Sequence, residues 1–274
     1  MAALWRWLTR IAGALLVGAL VLYGAAVAGL LSQRHALLYR FERWQTTVDQ
    51  ARGPGRIERI EAADGTPLAL WVVPPREGRP TVIHFGGNLG VFHRSVARTR
   101  ALSAAGYGVV VMNYRGASGE AGAPSEAAIV ADALATYDAL PDLGVGAQAP
   151  VVYGASLGAA VAVQLAAARE VGAVVLAAPF SQLCTAAEHH YPWAPACLVL
   201  WDERWASIEH IAHIDAPLLV LHGARDQVIP LAEAERLAAA ATEPKRLVVY
   251  ERAGHDDLAR HGAEAEILRF LSGL

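Results

Sequence analysis

The sequence predicts an α/β protein: a mostly parallel, eight-stranded sheet with helices on both faces and a small helical cap, preceded by one N-terminal transmembrane helix. Three observations carry that expectation. From Thr81 onward, short apolar runs alternate with helical stretches, which is the pattern of successive β/α units. Two β-rich runs flank Asp64-Gly65 ahead of them and read as an antiparallel hairpin with an Asp-Gly turn. The run from Ile11 to Leu31 carries no charge and, as a helix, is long enough to cross the hydrocarbon core of a bilayer.

With 274 residues the chain can bury one large core. The organisation expected is a membrane anchor and linker over residues 1–50 and a globular domain over 51–274, with a cap inserted at about 179–213. Net charge is −3 and the basic residues form no run, which excludes a nucleic-acid partner on electrostatic grounds.

Taking the elements in order, the apolar span comes first. Trp5 and Trp7 precede it and Tyr39 and Trp44 follow, as rings at two membrane interfaces do, with Arg6, Arg10, Arg34, Arg40 and Arg43 outside the run. A cleavable signal peptide is the rival reading, with Arg6 and Arg10 as its basic region and Ala26-Val27-Ala28 as its cleavage site. The uncleaved anchor is preferred because the apolar run continues through Leu30-Leu31. Arginines on both sides leave the orientation undecided by charge; the extracytoplasmic side is preferred for the domain.

Strands are expected at Ile57–Glu61, Leu68–Val73, Thr81–Phe85, Val109–Asn113, Val151–Tyr153, Ala173–Ala177, Leu218–His222 and Leu247–Tyr250. Helices are expected at Phe92–Ala105, Ser125–Ala139, Leu157–Ala168, Leu231–Ala240 and Asp257–Leu271, several of them opened by cap-type residues or followed by Gly or Pro.

The chemistry is concentrated at Gly154-Ala155-Ser156-Leu157-Gly158, a serine between two glycines where a strand turns into a helix. Glycines there allow a turn tight enough to project the hydroxyl above the sheet. The free N–H groups of the helix start face the same spot and can receive a developing oxyanion. Such a nucleophile needs a base, and the base needs an acid to orient it. Asp226 follows the strand at Leu218–His222 and His255 follows the strand ending at Tyr250, so both fall at the carboxyl edge of the sheet, where parallel α/β sheets bind ligands. The oxyanion donors expected are the Leu157 N–H and, from Gly86-Gly87-Asn88, the Asn88 N–H, with Gly87 the alternative. This chemistry requires no cofactor and no metal. His189-His190 and His210-x-x-His213 lack a carboxylate or cysteine partner at ligand spacing.

The order Ser, Asp, His and the elbow resemble the α/β-hydrolase superfamily. Within it the chain is similar to the membrane-anchored Bem46-like proteins and the serine-aminopeptidase-like (S33) clan. The likeness also rests on Phe85-Gly86-Gly87-Asn88, Asn113-Tyr114-Arg115-Gly116, Leu221-His222-Gly223 through Asp226, Val228-Ile229-Pro230 and Gly254-His255-Asp256-Asp257-Leu258. It implies an α/β-hydrolase fold and a Ser156, Asp226, His255 triad. Gly86 stands where many relatives carry His, and Ala117-Ser118-Gly119 also departs from the usual pattern.

The segment from Pro179 to His213 is too long for a simple connection and contains Phe180, Tyr191, Trp193, Trp201 and Trp205. These rings either form an apolar pocket over the site or bury the cap against the core. Cys184 and Cys197 either pair, in an oxidising compartment, or stand as two small buried apolar side chains. The activity expected is hydrolysis of a carboxylic ester or thioester with a small-molecule or lipid-like acyl chain, through an acyl-enzyme. A serine peptidase is the alternative and needs an acidic group for the substrate amine, for which Glu188, Asp202 and Glu203 are the candidates. A membrane-tethered scaffold without turnover is a third reading.

Overall fold

A computed structural model describes residues 1–41 and 47–274. Arg43 and Trp44, read above as a flanking charge and ring, lie outside the described residues. The strands are Arg56–Glu61 (β1), Pro67–Val73 (β2), Thr81–Phe85 (β3), Gly108–Met112 (β4), Val151–Ala155 (β5), Ala173–Ala177 (β6), Leu218–Gly223 (β7) and Lys245–Tyr250 (β8). They form one sheet in the order β1-β2-β4-β3-β5-β6-β7-β8. β1 pairs antiparallel with β2, with Ile57 opposite Trp71, and β2 pairs antiparallel with β4. All later pairs are parallel. The six inner strands are apolar, whereas the two edges carry charge at Arg56, Glu58 and Arg59 on β1 and at Lys245 and Arg246 on β8, which discourages pairing with another chain.

Strand alternation divides the core into two layers. Leu70 and Val72 of β2, Ile83 and Phe85 of β3 and Val110 and Met112 of β4 point to one face. There they meet Glu126–Asp138 (α4), Leu157–Ala168 (α5) and Leu231–Ala240 (α9). Trp71, Val82, Val109 and Val111 point to the other, against Phe92–Arg98 (α2), Arg100–Ala104 (α3) and Ala263–Ser272 (α10). α5 is buried on nine of its twelve residues because it lies between the sheet and α4, which is why its sequence is apolar all round.

Two helices expected as continuous are broken. The stretch Phe92–Ala105 divides at Thr99 into α2 and α3, and the stretch from Asp257 begins as a 3-10 turn, Leu258–His261, that ends at Gly262 with φ 96° before α10. Between β6 and β7 lie three short helices, Leu183–His190 (α6), Ala196–Val199 (α7) and Ser207–His210 (α8).

Ala2–Leu38 (α1) is a single helix whose most apolar window has a mean hydropathy of 2.3 and is wholly unburied. It is the one helix among the described residues long and apolar enough to cross a membrane. Its C-terminal turns are different: Val27, Leu30, Leu31, Arg34 and Leu38 form an i, i+3/i+4 stripe that packs onto the globular part. Tyr39, expected at a membrane interface, is buried in the core beside Phe41, because its ring fills space next to the buried Glu203.

The glycines around Ser156 are set by backbone crossing. A Cβ on Gly158 would lie 2.2 Å from the Phe85 carbonyl oxygen, and one on Gly154 would lie 2.2 Å from the Gly158 oxygen. Gly158→Ala is therefore expected to destabilise the fold by about 3 kcal/mol, whereas Gly273→Ala, whose added methyl meets nothing closer than 3.6 Å, changes stability by less than about 0.5 kcal/mol. Thermal unfolding in detergent measures both.

Candidate active site

Three strand ends and one loop converge at the carboxyl edge of the sheet, beside the point where the strand order reverses between β3 and β5. Ser156 follows β5 directly and adopts φ 54°, ψ −120°, a strained backbone for a residue with a side chain. Its N–H is held by the Ala177 carbonyl at 2.9 Å, so the neighbouring strand β6 fixes the turn. Asp226 hangs from β7 on a turn closed by its own N–H to the Gly223 carbonyl at 3.1 Å. His255 hangs from β8. The two loops cross so closely that a Cβ on Gly223 would lie 2.3 Å from the Ala253 carbonyl oxygen.

The result is a continuous hydrogen-bonded line. His255 Nδ1 lies 2.7 Å from Asp226 Oδ2, and His255 Nε2 lies 3.1 Å from Ser156 Oγ. The Asp226 side chain is fully buried, and its Oδ1 accepts the N–H groups of Val228 and Ile229, each at 2.8 Å. Burial pushes this carboxyl upward, but the His255 bond, the charge of His255 and those two backbone donors together outweigh it and hold the group below its ordinary value. An ionised carboxylate only accepts, so Nδ1 carries the ring proton and the Nε2 lone pair faces the serine hydroxyl.

A second histidine at this carboxylate escaped the sequence reading except as part of a motif. His222 is buried, with Nε2 3.0 Å from the Ile229 carbonyl and 3.5 Å from Asp226 Oδ2. Burial depresses its proton affinity, so it stays neutral and donates Nε2–H to Ile229, bracing the loop that carries Asp226.

The residues expected to supply the oxyanion donors lie around this spot, with Leu157 and Asn88 lining the same cleft as Ser156. Gly87 packs beside Ser156, where a Cβ would come 3.6 Å from the serine Cβ, and Asn88 lines the same space. Among the described residues the Leu157 and Asn88 N–H groups bond to no other backbone group, whereas the Asn88 carbonyl and side chain are held by Arg40 N–H at 3.1 Å and the Leu38 carbonyl at 3.3 Å. The loop is thus fixed by the end of α1.

Ser156 opens onto a cleft of about 410 Å³. Its walls are Phe180, Leu183 and Ala186 from the start of the β6–β7 insertion, Val199 and Leu200 near α7, and Leu30, Leu37 and Leu38 of α1. The five rings of the insertion divide between the two roles considered for them. Phe180 and Tyr191 line the cleft, Trp205 is fully buried in the core, and Trp193 and Trp201 lie on the surface. The wall contributed by α1 has no sequence signal beyond apolarity. Cys184 and Cys197 form a disulfide that joins α6 to the start of α7. None of Glu188, Asp202 and Glu203 lines the cleft: Glu188 is exposed, Asp202 pairs with Arg34, and buried Glu203 accepts from Tyr39 Oη and from Glu126 N–H.

This fold, with a strand–turn–helix serine over a mostly parallel sheet, defines an α/β-hydrolase. Residues 92–272 match the model of the prolyl oligopeptidase family. The chain belongs to that family. A relative in Mycobacterium tuberculosis, itself an uncharacterized protein, is 41% identical over 206 residues, covering 74% of this chain and 73% of the relative. Lysophosphatidylserine lipase ABHD12 of Danio rerio is 30% identical over 63% of this chain, which spans half of that protein's length. Protein bem46 of Schizosaccharomyces pombe is also 30% identical, over 56% of this chain and 54% of its own. Among solved structures, acetyl xylan esterase from Paenibacillus sp. R4 superposes with a TM-score of 0.66 at 17% identity, over 82% of this chain and 90% of that one.

Beneath the site, His84 of β3 is fully buried, with Nδ1 3.1 Å from the Tyr153 carbonyl and its ring against Tyr153. Burial first, with help from the Arg98 charge, lowers its pKa from 6.5 to about 3. Across that interval the unfolded chain binds a proton that the folded chain refuses, so stability falls as pH drops from 6.5 toward 3. His84→Gln, which keeps a donor for Tyr153, is expected to flatten the decline of Tm between about pH 7 and pH 4. Parallel curves for the two proteins would show that His84 does not cause it.

Proposed function

We propose that the protein is a serine hydrolase that cleaves carboxylic ester or thioester bonds through an acyl-enzyme. The observation that carries this reading is the position of Ser156 Oγ, 3.1 Å from His255 Nε2 and at the floor of an apolar cleft. Ser156 Oγ attacks the carbonyl carbon while His255 Nε2 takes its proton, and Asp226 stabilises the imidazolium that forms. The Leu157 N–H, with Asn88 or Gly87 from the β3 loop, receives the oxyanion; one such donor typically contributes about 10²–10³ in rate. The proton then passes to the leaving alcohol or thiol. Water, deprotonated by the same nitrogen, releases the acid and restores the serine.

The cleft supports an acyl substrate, being within the roughly 300–1,000 Å³ of ligand sites and walled mostly by aliphatic side chains. The lipase named among the relatives supports an ester in a lipid. A peptidase is favoured by the family's name, but an aminopeptidase needs a carboxylate for the substrate amine, and among the described residues the cleft beside α1 has none, Asp256 lying on the His255 side of Ser156. The β6–β7 insertion acts as the cap.

Helix α1 anchors the chain as a single membrane span, with the globular part on the extracytoplasmic side. Its continuity through Ala26-Val27-Ala28 and its packing onto the cap support retention of the helix rather than cleavage. The Cys184–Cys197 bond supports an oxidising compartment.

Two experiments test these statements. A fluorophosphonate probe is expected to label wild-type protein in membranes and to lose all labelling in Ser156→Ala. Unlabelled but folded wild type would overturn the hydrolase reading in favour of a scaffold. A C-terminal alkaline phosphatase fusion is expected to be active and a fluorescent-protein fusion dark; the reverse pair would place the domain in the cytoplasm.

A further inference from the structure

The cap and α1 are not separated by a linker. Tyr23, well inside the charge-free run, donates its hydroxyl to the Trp193 carbonyl at 3.2 Å, and α7 packs along the same helix. At the other end, Arg34 and Asp202 form a bidentate ion pair, with Nε to Oδ1 at 3.0 Å. The cap therefore lies alongside α1 from Tyr23 to Arg34. The last nine residues of the run Ile11–Leu31, Tyr23 to Leu31, rise through about 12 Å of helix. That is close to the thickness of one hydrocarbon leaflet, about 15 Å. The helix cannot shift to free the cap from the lipid, because moving the span toward the N-terminus would carry Arg10 and then Arg6 into hydrocarbon.

The cap surface at this level has the composition that immersion requires. Trp193 is 50% exposed, Leu198 63% and Trp201 64%, and Tyr191 is half-exposed at the cleft. Large apolar side chains grouped in this way mark an interaction surface. Indole and phenol rings suit the headgroup boundary, where one end is apolar and the other wet. The cleft is bounded by this cap and by Leu30 and Leu37 of α1, one within the apolar run and one beyond it.

We infer that Trp193, Leu198 and Trp201 form a membrane-docking face continuous with α1, which sinks the cap into the bilayer interface and opens the cleft to lipid acyl chains. The occupant of this face is the lipid bilayer. The inference rests on α1 as a membrane span, and its consequence for turnover rests on the hydrolase reading. The substrate class is then a bilayer-resident acyl ester that slides along α1 into the cleft with its carbonyl reaching Ser156, without passing through water. α1 becomes a wall of the binding site as well as an anchor.

The test uses the full chain in phospholipid vesicles. An environment-sensitive fluorophore attached in Leu198→Cys or Trp201→Cys is expected to be quenched by lipids carrying a nitroxide near the headgroup, whereas the same label in Glu235→Cys is not. Labels at 198 and 201 that respond no more than the one at 235 would overturn the docking face, whatever the activity. In the double variant Leu198→Glu/Trp201→Glu, kcat/KM for a monoacylglycerol embedded in the vesicles is expected to fall at least tenfold, while kcat/KM for a short water-soluble ester stays within twofold. Equal effects on the two substrates would overturn lateral access from the bilayer. Quenching at 198 and 201 without hydrolysis of either ester, and without fluorophosphonate labelling, would support the docking face and overturn the hydrolase reading alone.

Discussion

The site depends on one close crossing of backbones. The first turn of α5 runs over the end of β3 at a separation that leaves no room for a side chain at position 158, since the nearest oxygens of Phe85 and Gly86 would lie 2.2 and 2.4 Å from a Cβ there. That approach brings a helix N-terminus, a strained serine and the loop after β3 into one place. Asn88 and Ser156, which line one cleft, come from chain segments 68 residues apart, and only this crossing makes them neighbours. The positive φ of Ser156 is tolerated because β6 and the sheet hold the turn from both sides.

A second set of contacts ties the cap to this frame. Glu203 is buried and accepts from Tyr39 Oη and from the N–H of Glu126 at 2.9 Å, with His35 Nε2 3.3 Å from its other oxygen. Glu126 in turn accepts from the Trp205 N–H at 2.9 Å and from Gln164 of α5 at 2.8 Å. Burial raises the Glu203 carboxyl above its ordinary value despite the Tyr39 and Glu126 bonds that stabilise its charged form, and burial together with Glu203 pushes the Tyr39 phenol upward. The end of α1, the base of the cap, the start of α4 and helix α5 thus share one polar network. A shift of α1 would reach the site through packing and hydrogen bonds alone, among them the bond from Arg40 N–H to the Asn88 carbonyl.

Much of this was legible because it is local. The elbow glycines, the alternation of apolar runs and the Asp64-Gly65 turn are rules about a few consecutive residues, and the strand positions follow from them to within two residues. The order of Ser156, Asp226 and His255 was legible because each follows a strand, and parallel strands put all their C-terminal ends on one edge. The breaks at Thr99 and Gly262 were not. Both lie in otherwise helical patterns, and each break is a single residue off helical geometry, Thr99 at φ −94°, ψ 1° and Gly262 at φ 96°.

By itself the sequence determined the α/β class, the apolar N-terminal span and the residues from which a hydrolytic site can be built, since periodicity, charge-free length and motif spacing are properties of the chain read in order. Only the tertiary structure decided which apolar residues wall the cleft, which rings of the cap are exposed, and that Tyr39, Glu126 and Glu203 meet. Those relations join positions far apart in sequence, as in Leu30 and Ile229, which line the same cleft. No local preference records them, because an aliphatic or aromatic side chain has the same intrinsic reason to be buried wherever the fold carries it.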